Sequence, residues 1–199
     1  LTILGRKSLK ELCDEGLLSP TEESLIGHSS IDVRVGYSAL LETKPLDIPQ
    51  YEFEKSGRPE NVFTPIDLNH FSKESPLMLP PGGFALVATL ETFNVPLGYT
   101  CEFRITSSCA RAGYDNALAV WVEGGFNNSV LTLEIKNNLQ YHDRPLFPGL
   151  VIGQVIVHTV DGESSIYKDD GRYNGDSKVS ASKGLKVLLP GRQLEKVEI

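Results

Sequence analysis

The run LTLEIKN, residues 131–137, carries the reading that decides the fold. Leu131, Leu133 and Ile135 recur at every second residue and share one face, so Thr132, Glu134 and Lys136 point to the other, the period of a half-buried strand. The same alternation appears in SSIDVRVG (29–36), where Ile31, Val33 and Val35 alternate with Asp32 and Arg34. GGFALVATLE (82–91), GYTCEFRI (98–105), AVWVEGGF (119–126) and VIGQVIVHTV (151–160) add further strands, rich in β-branched and aromatic residues and separated by Pro, Gly and Asn. Many short strands at close spacing predict an all-β protein, a sandwich or a barrel.

Around this β region the pattern changes. RKSLKELCDEG (6–16) places Leu9, Leu12 and Cys13 at helical spacing with Gly16 as a stop, predicting one short N-terminal helix. Residues 44–81 hold seven prolines (45, 49, 59, 65, 76, 80 and 81) and read as an irregular excursion. Residues 161–183, rich in Gly, Ser, Asp and Lys, read as a mobile tail that orders over a ligand or a neighbouring subunit. GLKVLLPGRQLEKVEI (184–199) offers one more strand, and the whole of 1–199 reads as a single domain.

With 40% hydrophobic and 23% charged residues the composition is that of a globular protein. A formal net charge of −7 speaks against coating nucleic acid, which relies on clustered Lys and Arg, so any phosphate recognition must be local. Cys13, Cys101 and Cys109 form no paired motif and point to a reducing compartment. No apolar run is long enough to span a bilayer, which makes the cytoplasm the expected location and a membrane partner unexpected.

Two pieces carry chemistry. In ITSSCARAG (105–113), Ser107 is the candidate N-cap of a single helical turn, Arg111 adds a positive fork one turn on, and Gly113 ends it; such a turn suits a phosphate. Glu134 is the one acid that LTLEI sets on its polar face, where a site could use it, with Lys136 available as an ordinary salt-bridge partner.

The ordered motifs SSIDVRVG, LPPGGFALVATLETFNVP, ITSSCARAGY, AVWVEGGF, LTLEIKNN, FPGLVIGQVIV and GRYNG resemble those of the dCTP deaminases of the dUTPase superfamily, from about residue 6 to about residue 184. The resemblance implies a distorted β-barrel or jelly roll assembled as a homotrimer with shared active sites. It implies hydrolytic deamination of a deoxycytidine nucleotide, dCTP to dUTP, with Mg2+ held by the triphosphate and no catalytic metal in the protein. Residue by residue, Glu134 matches the general base, Ser107 and Arg111 the serine and arginine of an SSxxR motif, and Ala119 an alanine whose carbonyl holds the attacking water. Ser108, Arg104, Trp121, Glu123, Gln154, Arg172 and Tyr173 complete the candidate substrate-binding set. AVWVEGGF is most similar to the form found in bifunctional members, which also hydrolyse dUTP.

Three positions depart from the family pattern. Thr106 stands where an arginine precedes the serine pair, with Arg104 on the same strand face as a candidate substitute. Glu123 replaces an aspartate that orients water in dUTP hydrolysis. Asp176 stands where a glutamine is usual, an acid that suits a triphosphate only with magnesium between them.

Plainer readings compete. Asp32 and Arg34 read as a buried structural pair, Trp121 as core more than as a stacking platform, Gln154 as a core hydrogen-bonder, and Gly149 and Gly153 as a turn and a close strand contact. His28, His70, His142 and His158 lack ligand spacing, and the HxE and PCxxC elements of zinc deaminases are missing, so a deaminase reading here is one without zinc. A dUTP diphosphohydrolase using Glu123 and a catalytically silent nucleotide-binding trimer are the remaining function classes.

Overall fold

The computed structural model describes residues 2–42, 63–117, 121–162, 171–183, 185–187 and 195–197. The chain opens with α1 (Arg6–Asp14), which buries Leu9 and Leu12, and Gly16 at φ +96° turns it into β1 (Leu18–Ser19). The strands that follow are β2 (Ile31–Glu42), β3 (Phe63–Asp67), β4 (Leu77–Leu79), β5 (Phe84–Asn94) and β6 (Tyr99–Ile105). A short helix α2 (Ser107–Arg111) leads to β7 (Tyr114–Asn116), β8 (Trp121–Val122), β9 (Asn127–Asn137), β10 (Arg144–Leu146) and β11 (Val151–Thr159). β12 (Leu185–Val187) and β13 (Glu195–Val197) pair with each other.

Among the described residues nine strands form one sheet in the order β7-β9-β5-β2-β11-β6-β8, with β1 on β5 and β3 on β2. The connectivity forces this sheet to curl. β6 and β7 are five strand steps apart, roughly 24 Å if the sheet were flat, whereas the five-residue helix between them spans only about 7.5 Å. The molecule is thus mostly β, a half-barrel with its apolar face inside. That face holds Val33, Val35, Val87, Phe103, Leu133, Ile135, Val155 and Val157, all buried as the alternating sequence predicts.

The bend is placed by paired irregularities. β2 shifts register between Val35 and Ala39, and its partner β5 shifts between Ala88 and Thr92 against β9. A Cβ on Gly36 would lie 2.5 Å from the Thr89 carbonyl oxygen, so only glycine lets the bulged strands approach. Glu91 sits there almost fully buried; its carboxylate accepts from Arg34 Nε at 2.7 Å and from the Arg34 backbone N–H at 2.9 Å. Arg34 therefore pairs with Glu91, and at 2.8 Å with Glu22, rather than with Asp32. The correction has a simple cause: Asp32 and Arg34 lie side by side on one strand, and the carboxylate that can be driven onto the guanidinium comes from across the bulge.

The proline-rich stretch is less irregular than its composition suggests. Residues 43–62 lie outside the described residues, but Phe63–Asp67 forms an edge strand on β2, where Pro65 is tolerated, and Leu77–Leu79 pairs with β10. The expected close strand contact holds: a Cβ on Gly153 would fall 2.2 Å from the Phe103 ring, while Gly149 takes the left-handed φ of a turn, +85°.

Candidate active site

Glu134 lies in the middle of β9, opposite Leu86 of β5, with Leu133 and Ile135 on either side anchored in the core. Its neighbours' burial aims the carboxyl at the other face of the sheet, and the side chain is half-buried there. Oε2 has no hydrogen-bond partner among the described residues and is sealed from solvent. Burial pushes the carboxyl up from 4.5 to about 7, opposed in part by a bond to its own backbone N–H. An acid half-ionised at neutral pH can both take and give a proton. Lys136 makes no ion pair with it among the described residues; it is exposed on the rim.

Strand β7 closes one side. Asn116 Oδ1 accepts from the Glu134 backbone N–H at 3.1 Å, and the Ala117 N–H donates to the Glu134 carbonyl at 2.9 Å. Asn116 is itself buried, and its Nδ2 has no partner among the described residues. Sequence reading missed this residue: an Asn after a Gly-Tyr-Asp run reads as a turn, and only the β7–β9 pairing puts it beside Glu134.

Helix α2 leads into β7, and the chain turns between them at Gly113, φ +95°. The N-cap is Thr106, not Ser107: the Thr106 side chain accepts from Cys109 N–H at 3.3 Å, and Ser107 is already the first helical residue. The residue that departs from the family arginine thus has a structural task, and Ser107 and Ser108 are released to the surface together with Arg111. The helix is pinned from beneath by buried Cys109, whose Sγ donates to the Val151 carbonyl at 3.3 Å. Arg111 makes no ion pair among the described residues, so its charge is open to an anion.

The tail forms the other wall. Residues 171–183 run along their own chain: Val130 N–H donates to Asp176 O at 2.8 Å, Ser180 N–H to Thr132 Oγ1 at 3.2 Å and Val179 N–H to Ser38 Oγ at 3.0 Å. Thr132, which takes one of these bonds, shares the face of Glu134. Ser129, Thr132 and Ser38 offer this segment a row of hydroxyl acceptors on its own chain. Asp176 is neutralised by Lys183 Nζ at 2.6 Å and accepts from Ser180 Oγ at 2.8 Å, which removes the conflict of a bare acid beside phosphate. Tyr173 packs on the core, and its hydroxyl accepts from Lys183 N–H at 3.2 Å; Arg172 Nη1 donates to the Lys183 carbonyl at 3.3 Å.

The remaining candidates lie on β6, β8 and β11 and in the turn after β8. Arg104 is exposed and pairs with Glu102. Gln154, opposite Arg104 in β11, accepts from Ser30 Oγ at 2.8 Å and is only partly buried. Trp121 is 51% exposed and stacks on His158 at 6.0 Å, so it is not core. Glu123 is exposed, and its carbonyl closes a turn with Phe126 N–H. Along the hydrogen-bonded path of the sheet Glu134 and Asn116 lie on β9 and β7 and Arg104, Gln154 and Trp121 on β6, β11 and β8, while α2, carrying Ser107 and Arg111, joins β6 directly to β7. Ala119 lies outside the described residues. Among the described residues no helix is long and apolar enough to cross a membrane.

The fold is shared with a known enzyme structure. The 2'-deoxycytidine 5'-triphosphate deaminase of Agrobacterium tumefaciens superposes with a TM-score of 0.59 at 19% identity, covering 79% of this chain and 48% of that one, so the chain spans about half of that structure's length. The family model for the dCTP deaminase-like domain matches residues 3–160, and the chain belongs to this enzyme family. Among its relatives, a "dCTP deaminase, dUMP-forming" of Mycobacterium leprae is 31% identical over 89% of this chain and 87% of its own. Another of that description, from Sulfurihydrogenibium sp., is 27% identical over 91% and 96%.

Proposed function

We propose that this chain deaminates dCTP hydrolytically, and the observation that carries the reading is Glu134, a strand acid whose titration burial raises to about 7 and which the sequence resemblance matches to the family's general base. Glu134 takes a proton from water as its oxygen attacks C4 of the cytosine, and passes that proton to N3. It then takes the hydroxyl proton of the tetrahedral intermediate and delivers it to the amino group. Ammonia leaves as the C4–N bond breaks, and uracil keeps the new C=O; one water is consumed and the protons balance.

Ser107, Ser108 and Arg111 on the exposed face of α2 bind the nucleotide and its phosphates, and the Ala119 carbonyl holds the water. Arg172 and Tyr173 flank the site from the tail. The substrate enters as its Mg2+ complex, so the metal arrives with the triphosphate. In a homotrimer with shared active sites, Arg104, Gln154 and Trp121 of one chain would complete the Glu134 site of its neighbour. Glu134→Gln should abolish ammonia release from dCTP while leaving nucleotide binding intact; turnover in that variant sinks the assignment.

A second reading is favoured by the relatives, several of which carry the description "dUMP-forming". In it the same chain also cleaves the triphosphate, with exposed Glu123 orienting the second water. Pyrophosphate released alongside ammonia from dCTP supports it, and ammonia with no pyrophosphate at high enzyme concentration rules it out.

A further inference from the structure

Two buried polar atoms near Glu134 lack partners among the described residues, and they are complementary: Glu134 Oε2 is an acceptor, Asn116 Nδ2 a donor. Buried groups of this kind are rare in native structures and call for a ligand or water. The amide orientation is fixed, because Oδ1 faces a backbone N–H, that of Glu134 at 3.1 Å, and only an oxygen can accept there. The β7–β9 pairing thus holds the Asn116 amide against the backbone of Glu134, and the two orphaned atoms are buried on the side chains of this one contact.

Resting on the deaminase reading above, we propose that Asn116 is a further residue of the active site, whose amide N–H donates to the oxygen of the water that Glu134 deprotonates. A single water satisfies both orphaned atoms, accepting from Nδ2 and donating to Oε2. That arrangement fixes the water before the nucleotide arrives and leaves a lone pair for C4. The charged groups on the elements packed against β9 are accounted for elsewhere: Asp115 Oδ2 accepts from Asn138 Nδ2, Lys136 is exposed on the rim, and Asp176 pairs with Lys183. None supplies the missing donor.

Asn116→Asp separates this role from a purely structural one, because it keeps the oxygen that accepts from Glu134 N–H and puts an acidic oxygen in place of the donor. The variant should lose about a hundredfold in kcat, the scale of one lost donor at a reacting oxygen, with KM for dCTP changed less than about threefold. In a protein labelled with 13C at glutamate carboxyls, the Glu134 titration midpoint should rise by at least about one pH unit, since a second carboxylate shares its space. Wild-type kcat together with an unmoved midpoint overturns the proposal. Should Asn116→Asp fail to fold, Asn116→Ser takes its place, and wild-type turnover in that variant overturns it equally. If the wild-type protein releases no ammonia, the deaminase reading falls by itself, while the titration still decides whether the Asn116 amide faces the Glu134 carboxyl.

Discussion

Replacing Glu134 by glutamine should stabilise the protein at alkaline pH. In the folded state the carboxyl titrates at about 7, against 4.5 when free. Below pH 4.5 it is protonated in both states and costs nothing. Between pH 4.5 and 7 the unfolded chain has released the proton that the folded chain still holds, so stability falls as pH rises, and above 7 the loss is complete. That difference corresponds to roughly 3.4 kcal/mol, and solvent around a half-buried side chain reduces this to about 2 kcal/mol. Glutamine has the same shape and no proton to lose. Urea denaturation of both proteins at half-unit steps from pH 4 to 9 should therefore give curves that coincide in acid, apart from a constant offset, and diverge to about 2 kcal/mol above pH 7. In melting temperature this amounts to roughly 4–8 °C for a chain of this size. Parallel curves across the whole range, or a gap that widens toward acid, would refute the claim that burial holds Glu134 near neutrality. Such a site is stability given up for reactivity: the property that suits the carboxyl to proton transfer also weakens the fold at the pH where it would work.

The α2 turn makes a second distinction. Thr106→Ala should cost about 1 kcal/mol in a denaturation experiment because it removes the helix cap, whereas Ser107→Ala should leave stability nearly unchanged and lower dCTP turnover. At the bend, Glu91→Ala removes the buried partner of Arg34 and leaves it only the exposed Glu22, so a loss of about 3 kcal/mol is expected, read as a drop in the urea midpoint. Gly153→Ala pushes a methyl into the Phe103 ring and the Arg104 carbonyl, so a loss of about 1–3 kcal/mol is expected, with near-UV circular dichroism reporting the disturbed aromatic packing.

Much of this was legible in the chain. Alternation in SSIDVRVG and LTLEIKN placed Val33, Val35, Leu133 and Ile135 in the core and Glu134 on the opposite face, because strand periodicity is a property of a few adjacent residues. The ordered motifs led to the right family. The misreadings concern partners brought from a distance. Arg34 was matched with its neighbour Asp32, when the buried carboxylate is Glu91, 57 residues on. Ser107 looked like the cap because serine caps helices, yet where β6 ends makes Thr106 the last extended residue. The hydroxyls that bond the tail belong to β2 and β9, which its own composition does not reveal.

The sequence by itself therefore determined the central strands, their inward and outward faces and the acid proposed to react, since all three follow from local pattern and residue type. Only the tertiary structure decided that acid's chemistry. The raised titration of Glu134 comes from desolvation by surrounding elements, and the unpaired amide of Asn116 comes into play only when β7 docks on β9. Burial and partnership are properties of the packed chain, summed over segments far apart in sequence, and no local pattern encodes them.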